Sequence, residues 1–523
     1  MGFFLRKREV SLGVKCGFPS PLEVFKKVVK KVFKTVRTNR CDFETSLWKD
    51  LHFDVKQICN TSALFHTSTD NDTTQTLFKF YKGKHQLVFF RPKPVPVYLH
   101  ALKRHLIITW RTGSGKSVFL QSLFYKLQYL SHKRKQYSII LLDPHGDLAE
   151  RVFAFRLNLL KPERIIYIDP GREKDKIPCI NPFRKKVTNP MMVDLFAQQR
   201  AKTFAELIPE AGMSLQMEVV LKPCLAVLFW QGRCCLSDLQ DFMNDATNQK
   251  RIELWKKSNH PVYRNFFVNA FGNKKYGATK LAVYTRLQHL QNNYSFYLMM
   301  NWKSNFDLKK EMQQGKVILF NLSKGKLGED TSKALWKFIS ATLLSIALQR
   351  AFEEEKFRKP CYLFVDEFHN LATWGSSIET IFSEARKYRL HLIVGTQSIN
   401  QLPVSLRDMV INNTAVKLVG INGLVALKSQ AWDLGVSFNA LKFLPPFYFY
   451  LKQDHYLAVK IKSPDFLLKY HKRYFLSKTE QAKLKTQILS NTQLYRNNET
   501  DLSATWPQNA TESTDNFKPK FQL

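Results

Sequence analysis

Gly113-Ser114-Gly115-Lys116-Ser117 stands between the apolar run Leu106-Ile107-Ile108 and the helix-like Val118-Phe119-Leu120-Gln121-Ser122-Leu123. A strand, a glycine-rich turn and a helix in that order cradle the phosphates of a nucleoside triphosphate. The backbone N–H groups from Thr112, Gly113, Ser114, Gly115, Lys116 and Ser117 are expected to curl round the β-phosphate, with Val118 closing the binding set. The positive end of the following helix assists. Lys116 is positioned to reach the β- and γ-phosphates and the Ser117 hydroxyl to ligate Mg²⁺, so ATP and Mg²⁺ are the expected cofactors. Gly113 and Gly115 supply backbone angles that a Cβ resists.

The full pattern G-x-x-x-x-G-K-[ST] asks for glycine at its first position, where this chain has Trp110. An indole at the sharp exit from a strand is expected to cost strain or push the loop open. Three readings fit: a tolerated variant, a degenerate ATPase that no longer hydrolyses, or a UGA codon that specifies glycine in some bacterial codes and is here translated as tryptophan.

Carboxylates come next. Asp366 follows the apolar run Cys361–Val365 and is itself followed by Glu367. One carboxylate at a strand end can hold Mg²⁺ while its neighbour polarises the attacking water, so Asp366 is assigned to the metal and Glu367 to the general base. Asp143, at the end of another apolar run, is followed by Pro144 and His145, which serve that second task less readily. Gln397, after Leu390 to Gly395, is placed to sense the γ-phosphate or orient the water. Arg386, just before that run, is a candidate guanidinium supplied across a subunit boundary. Position alone also allows a polar cap for Gln397 and a solvated helix arginine for Arg386.

The elements that must position these residues alternate. Candidate strands are Tyr137 to Leu142, Arg164 to Asp169, Lys316 to Asn321, Cys361 to Val365 and Leu390 to Gly395, with helices at 332–352 and 378–388. That alternation predicts an α/β fold with a mainly parallel sheet covered on both faces. Residues 185–310 carry helical patterns, including 191–207 and 278–292, and few strand signals, which suggests an all-α insertion. The expected organisation is a small basic N-terminal region at 1–84, a nucleotide-binding domain in two parts at 85–184 and 311–470 around the insertion at 185–310, and a C-terminal helix with a polar tail at 471–523. Within the first of these, 19–37 reads as a basic amphipathic helix opened by the capping box Ser20-Pro21-Leu22-Glu23. It suits anionic membrane, DNA phosphates or its own domain equally. Lys84 to Val97 reads as a strand running into a proline-punctuated connector.

Composition narrows the partners. Lysine and arginine number 80 against 43 acidic residues, a formal charge of +37, which favours a polyanion, with nucleic acid ahead of a membrane surface. An AT-rich genome would also enrich lysine. The eight cysteines form no C-x-x-C pair or Cys/His cluster with metal spacing, so zinc is not expected and the chain reads as reduced. No apolar run reaches the length of about 18 residues that a membrane span needs, and the N-terminus lacks a signal-peptide core, so no intrinsic transmembrane segment is expected.

Further blocks then come into register: Lys103-Arg104-His105-Leu106 before the loop, DPHGDL at 143–148, YIDP at 167–170, NPF at 181–183, VILFNLSKGKLGED at 317–330, FVDEFHNLA at 364–372, SEARKYRLHLIVGTQSINQLP at 383–403 and INNTAVKLVG at 411–420. Over about residues 85–470 the chain resembles the FtsK–HerA branch of P-loop ATPases, and within it the TraG/TraD-like conjugative coupling proteins of type IV secretion. The resemblance implies a RecA-like P-loop NTPase core with an all-α insertion, a homo-hexameric ring, and ATP-driven movement of DNA through its channel. By position, Lys116 and Ser117 match the Walker A residues, Asp366 and Glu367 the Walker B pair, Gln397 the strand-end glutamine, and Arg386 a motif arginine suited to act in trans. Trp110 departs from the family pattern, as does Trp336, where relatives tend to carry a small residue or glycine. The N-terminal membrane helices of many coupling proteins are missing too. A cytoplasmic protein, peripheral at the inner face of the membrane through membrane-embedded secretion partners, is the implied setting. A non-hydrolysing DNA-binding scaffold and a secretion motor acting on protein are the competing functions.

Overall fold

The computed structural model describes residues 9–15 and 94–495, except 112, 114, 135–136, 173–176, 182, 184–185, 208–214, 257–259, 302–305, 372–381 and 492–493. The basic segment 19–37 and the tail past 495 lie outside the described residues, as does the expected strand from Lys84 up to residue 93. Strands in chain order are β1 (Glu9–Lys15), β2 (Pro94–Tyr98), β3 (Leu106–Thr109), β4 (Ser138–Asp143), β5 (Ile165–Ile168), β6 (Val317–Asn321), β7 (Cys361–Val365), β8 (Leu390–Thr396), β9 (Val416–Val419), β10 (Tyr448–Gln453) and β11 (Val459–Lys462). The principal helices are α1 (Lys116–Arg134), α2 (Pro190–Leu207), α3 (Leu215–Gln231), α4 (Gly277–Gln291), α5 (Glu329–Gln349), α6 (Leu424–Leu434) and α7 (Lys478–Leu489).

Interleaved segments build two compact units. The first takes Met1–Lys126, Gln397–Ile399 and Thr414–Lys469; the second takes Leu127–Thr396, Asn400–Asn413 and Tyr470–Leu523.

In the first unit β3 runs parallel to β9, from Leu106 opposite Val416 to Thr109 opposite Val419. Antiparallel β10 and β11 extend this run in the order β11-β10-β9-β3. Along β10 the side chains alternate, with Phe449, Leu451 and Gln453 buried and Tyr448, Tyr450 and Lys452 half-buried, as a strand with one covered face requires. Leu427, Ala431 and Leu434 of α6 close a core with Val419 and Leu441. The stretch read as a proline-punctuated connector is a strand: β2 pairs antiparallel with β1, Ser11 opposite Pro96 and Lys15 opposite Pro94. Pro94 and Pro96 give up N–H groups on alternate residues, so only one side of β2 loses its donors and the other can still pair.

The second unit holds β8-β7-β4-β6-β5, all parallel. Every residue of these strands is buried. That is why they read in sequence as unbroken apolar runs, since helices cover both faces of a parallel sheet. α5 crosses from β6 to β7 with fifteen buried residues, Trp336 among them at 0% exposure. Between β5 and β6 the described residues are helical from α2 onward, with no strand. The architecture is an α/β, RecA-like core with a mainly parallel sheet.

Candidate functional site

In the first unit the phosphate loop leaves β3 through Trp110. Arg111 N–H donates to the Ile421 carbonyl at 2.9 Å and Gly420 N–H to that of Thr109 at 2.9 Å, so the strand pairing continues past the end of β3. Gln430 from α6 donates to Thr109 Oγ1 at 2.6 Å. Trp110 is 1% exposed, its ring 4.9 Å from that of Phe449 and 6.3 Å from that of Phe119. Its φ is not left-handed, so the main chain passes this position without the conformation that favours glycine. The cost shows elsewhere. The indole N–H is buried without a partner among the described residues. Opposite it, a Cβ on Gly420 would lie 2.7 Å from that of Trp110. The indole is admitted because residue 420 has no side chain.

Beyond it, Gly113 has φ 81° and open space around it, and Gly115 has φ 107°. Thr112 and Ser114 lie outside the described residues. The first helical bond of α1 runs from Phe119 N–H to the Gly115 carbonyl at 3.1 Å. Helical bonding therefore leaves the amides of Lys116, Ser117 and Val118 to other acceptors, the usual condition for anion binding at a helix start. Lys116 is buried at 6% exposure, while Ser117 and Val118 are half-buried. Two left-handed glycines, three N-terminal amides, a lysine and a hydroxyl are a donor set that fits a nucleotide's phosphates.

In the second unit β7 ends at Val365, and Asp366 and Glu367 follow, each 8% exposed. Asp366 accepts the Glu367 N–H at 2.9 Å, and Glu367 holds a left-handed φ of 53°. That turn carries the Glu367 carboxylate to 3.3 Å from His369 Nδ1. Asp143 ends the adjacent β4, whose Leu142 pairs with Val365. Its carboxylate accepts N–H bonds from His145 at 3.0 Å and Ala149 at 2.9 Å, holding the turn into the helix Asp147–Phe153. Burial, and then the charge of Asp366, push the Asp143 carboxyl up, against the pull of those amide bonds. The Asp366 carboxylate can offer Mg²⁺ the hard oxygens it prefers, whereas both oxygens of Asp143 already accept backbone amides.

Arg386 lies exposed in the 3₁₀ turn Ala385–Tyr388, which continues directly from helical residues 382–384; residues 372–381 lie outside the described residues. Gln397 directly follows β8 and is half-buried. The sequence reading missed His369, although its position two residues after Glu367 was a usable signal. It also missed the Gly420 that faces Trp110.

A family profile described as "Helicase HerA, central domain" matches residues 81–343, half of the chain. The chain belongs to the FtsK–HerA ATPases. A second profile, "TraM recognition site of TraD and TraG", matches residues 360–423 of this FtsK–HerA member. Among solved structures it is similar to the conjugative coupling protein TrwB lacking its N-terminal segment, in an unbound form, with 16% identity, 71% of this chain and 87% of that chain covered, and a TM-score of 0.50. TrwB in complex with ADP and Mg²⁺ matches at 17% identity, 71% and 87% coverage and a TM-score of 0.51. TrwB with the GTP analogue GDPNP matches at 17% identity, 71% and 88% coverage and 0.50. At these identities the likeness is one of fold. No curated protein matches the sequence. Among the described residues no helix is long and apolar enough to cross a membrane.

Proposed function

We propose that this FtsK–HerA ATPase hydrolyses ATP to move DNA through a homo-hexameric ring in a conjugative or type IV secretion-like system. The observation that carries the reading is the phosphate loop itself, with Gly113 and Gly115 left-handed and Lys116 buried at the start of α1. The net charge of +37 supports a polyanionic cargo.

ATP with Mg²⁺ supplies the phosphoanhydride whose cleavage drives the motor. Lys116 and the amides of Thr112 to Val118 neutralise the phosphates, and the Ser117 hydroxyl and the Asp366 carboxylate hold the metal. Glu367 orients the attacking water and takes its proton, Gln397 reports on the γ-phosphate, and Arg386 acts on a neighbouring copy. The proposed organisation keeps the helical segment 185–310 as an insertion between the two parts of the nucleotide-binding domain, 85–184 and 311–470, with 1–84 and 471–523 outside it. The proposed setting is the cytoplasmic face of a membrane, beside membrane-embedded secretion partners.

DNA-stimulated ATP hydrolysis by the purified chain tests the reading. It is expected to vanish in Lys116→Ala and in Glu367→Gln, with Glu367→Gln still binding nucleotide. Hydrolysis indifferent to DNA would instead indicate a motor for protein. A second reading has its own observation: the buried, unpartnered indole of Trp110 at the loop's first position favours a scaffold that binds DNA and nucleotide without turnover.

A further inference from the structure

One side chain beside the phosphate loop has no part in this scheme. Phe447 belongs to the first unit, in the turn before β10. A Cβ built on Gly115 would lie 2.7 Å from Phe447 Cδ1 and 3.3 Å from Cε1, so the phenyl ring rests on the glycine's bare Cα. Despite that contact the ring is 42% exposed.

The backbone holds it there. Phe447 has a φ of 65°, which a bulky residue avoids unless its surroundings impose it. Tyr448 N–H donates to the Pro445 carbonyl at 3.1 Å, and the Phe447 carbonyl accepts from Ser463 N–H at 2.7 Å. Pro445 and Pro446 stiffen the approach. Phe449, two residues on, turns inward to Trp110 and Phe119, so the aromatic core is complete without Phe447. A strained backbone is thus maintained to present an open π face at the phosphate loop.

Resting on the nucleotide reading above, we propose that Phe447 is a stacking platform for the base of the bound nucleotide. A flat ring tethered to the phosphates is the ligand chemistry that matches a fixed, exposed phenyl beside the loop. Stacking on a phenyl ring tolerates any base, because every base has a π face. The site therefore takes purine nucleotides with little discrimination between adenine and guanine.

Calorimetric titration of the full chain with Mg²⁺–ADP, Mg²⁺–GDP and Mg²⁺–pyrophosphate, the last having no base, tests this. Phe447→Ala is expected to weaken ADP and GDP alike by about thirtyfold, the mid-range of base–aromatic stacking, and to leave pyrophosphate unchanged. Phe447→Trp is expected to keep all three, which separates stacking from a folding defect. ADP binding unchanged in Phe447→Ala overturns the proposal. So does a parallel loss of ADP and pyrophosphate, since the ring would then only prop the loop. Wild-type protein that binds pyrophosphate as tightly as ADP overturns the stacking alone, whereas wild-type protein that binds neither overturns the nucleotide reading with it.

Discussion

Replacing Trp110 with glycine restores the standard loop sequence and removes one of the largest fully buried side chains of the first unit. An indole buried on all sides removes about 200 Å² from water, roughly 5 kcal/mol at about 25 cal/mol/Å². Its unpartnered N–H offsets about 1–3 kcal/mol of that. The added backbone freedom of glycine costs about 0.5–1 kcal/mol more. Trp110→Gly should therefore lose on the order of 3 kcal/mol, near the low end of measured large-to-small aromatic substitutions, about 3–5 kcal/mol. For a unit of this size that is a fall in melting temperature of roughly 10 °C, read by far-UV circular dichroism so that the lost fluorophore does not confuse the signal. DNA-stimulated ATPase rates measured beside it complete the test. Reduced stability with an equal rate identifies a tolerated variant. A glycine form as stable as the parent, or more so, would refute the packing argument. If that form alone hydrolysed ATP, the position would belong to glycine, by decay of the motor or by a UGA codon read under the wrong code; UGG codons at 110 and 336 would exclude the second.

Gly420→Ala should cost about 1–3 kcal/mol by overpacking, because its three nearest neighbours are all Trp110 atoms, and should cost almost nothing in the Trp110→Gly background; additive losses in a double-mutant cycle would contradict this. In the second unit, burial and the positive charges of Arg164 and Lys161 lower the His132 imidazole from 6.5 to about 4. Because the unfolded chain binds the proton first, the contribution of neutral His132 is whole above about pH 6.5 and fades towards pH 4, by at most about 3 kcal/mol. A His132→Gln variant should show a flatter decline in melting temperature over that range. Lys116→Ala and Glu367→Gln should each abolish turnover, with only Glu367→Gln retaining nucleotide by calorimetry.

Strands β4 to β8 were legible in sequence because full burial on both faces leaves only apolar residues, and each lies within a residue or two of its expected bounds. The walls of the first unit were not. β9, β10 and β11 carry lysines and tyrosines on one face, as in Val416–Val419 and Val459–Lys462, and such short alternating runs resemble loops. β2 was obscured by its prolines. The carboxylate pair and the loop lysine were legible because chemistry fixes their spacing. What surrounds them was not: Gly420 and Phe447 lie some 300 residues from the loop positions they touch, and no local pattern links them.

The pairing of β3 with β9 also bears on how the protein is made. Leu106 leaves the ribosome roughly 310 residues before its partner Val416. At about 5–20 residues per second the wait is roughly 15–60 s. Until then the strand that launches the phosphate loop lacks this neighbour, and the indole of Trp110 lacks the notch at Gly420 that receives it. A nascent or truncated chain ending before residue 416 therefore carries the loop sequence without the wall that shapes it, and exposes a large aromatic that chaperones and proteases can find.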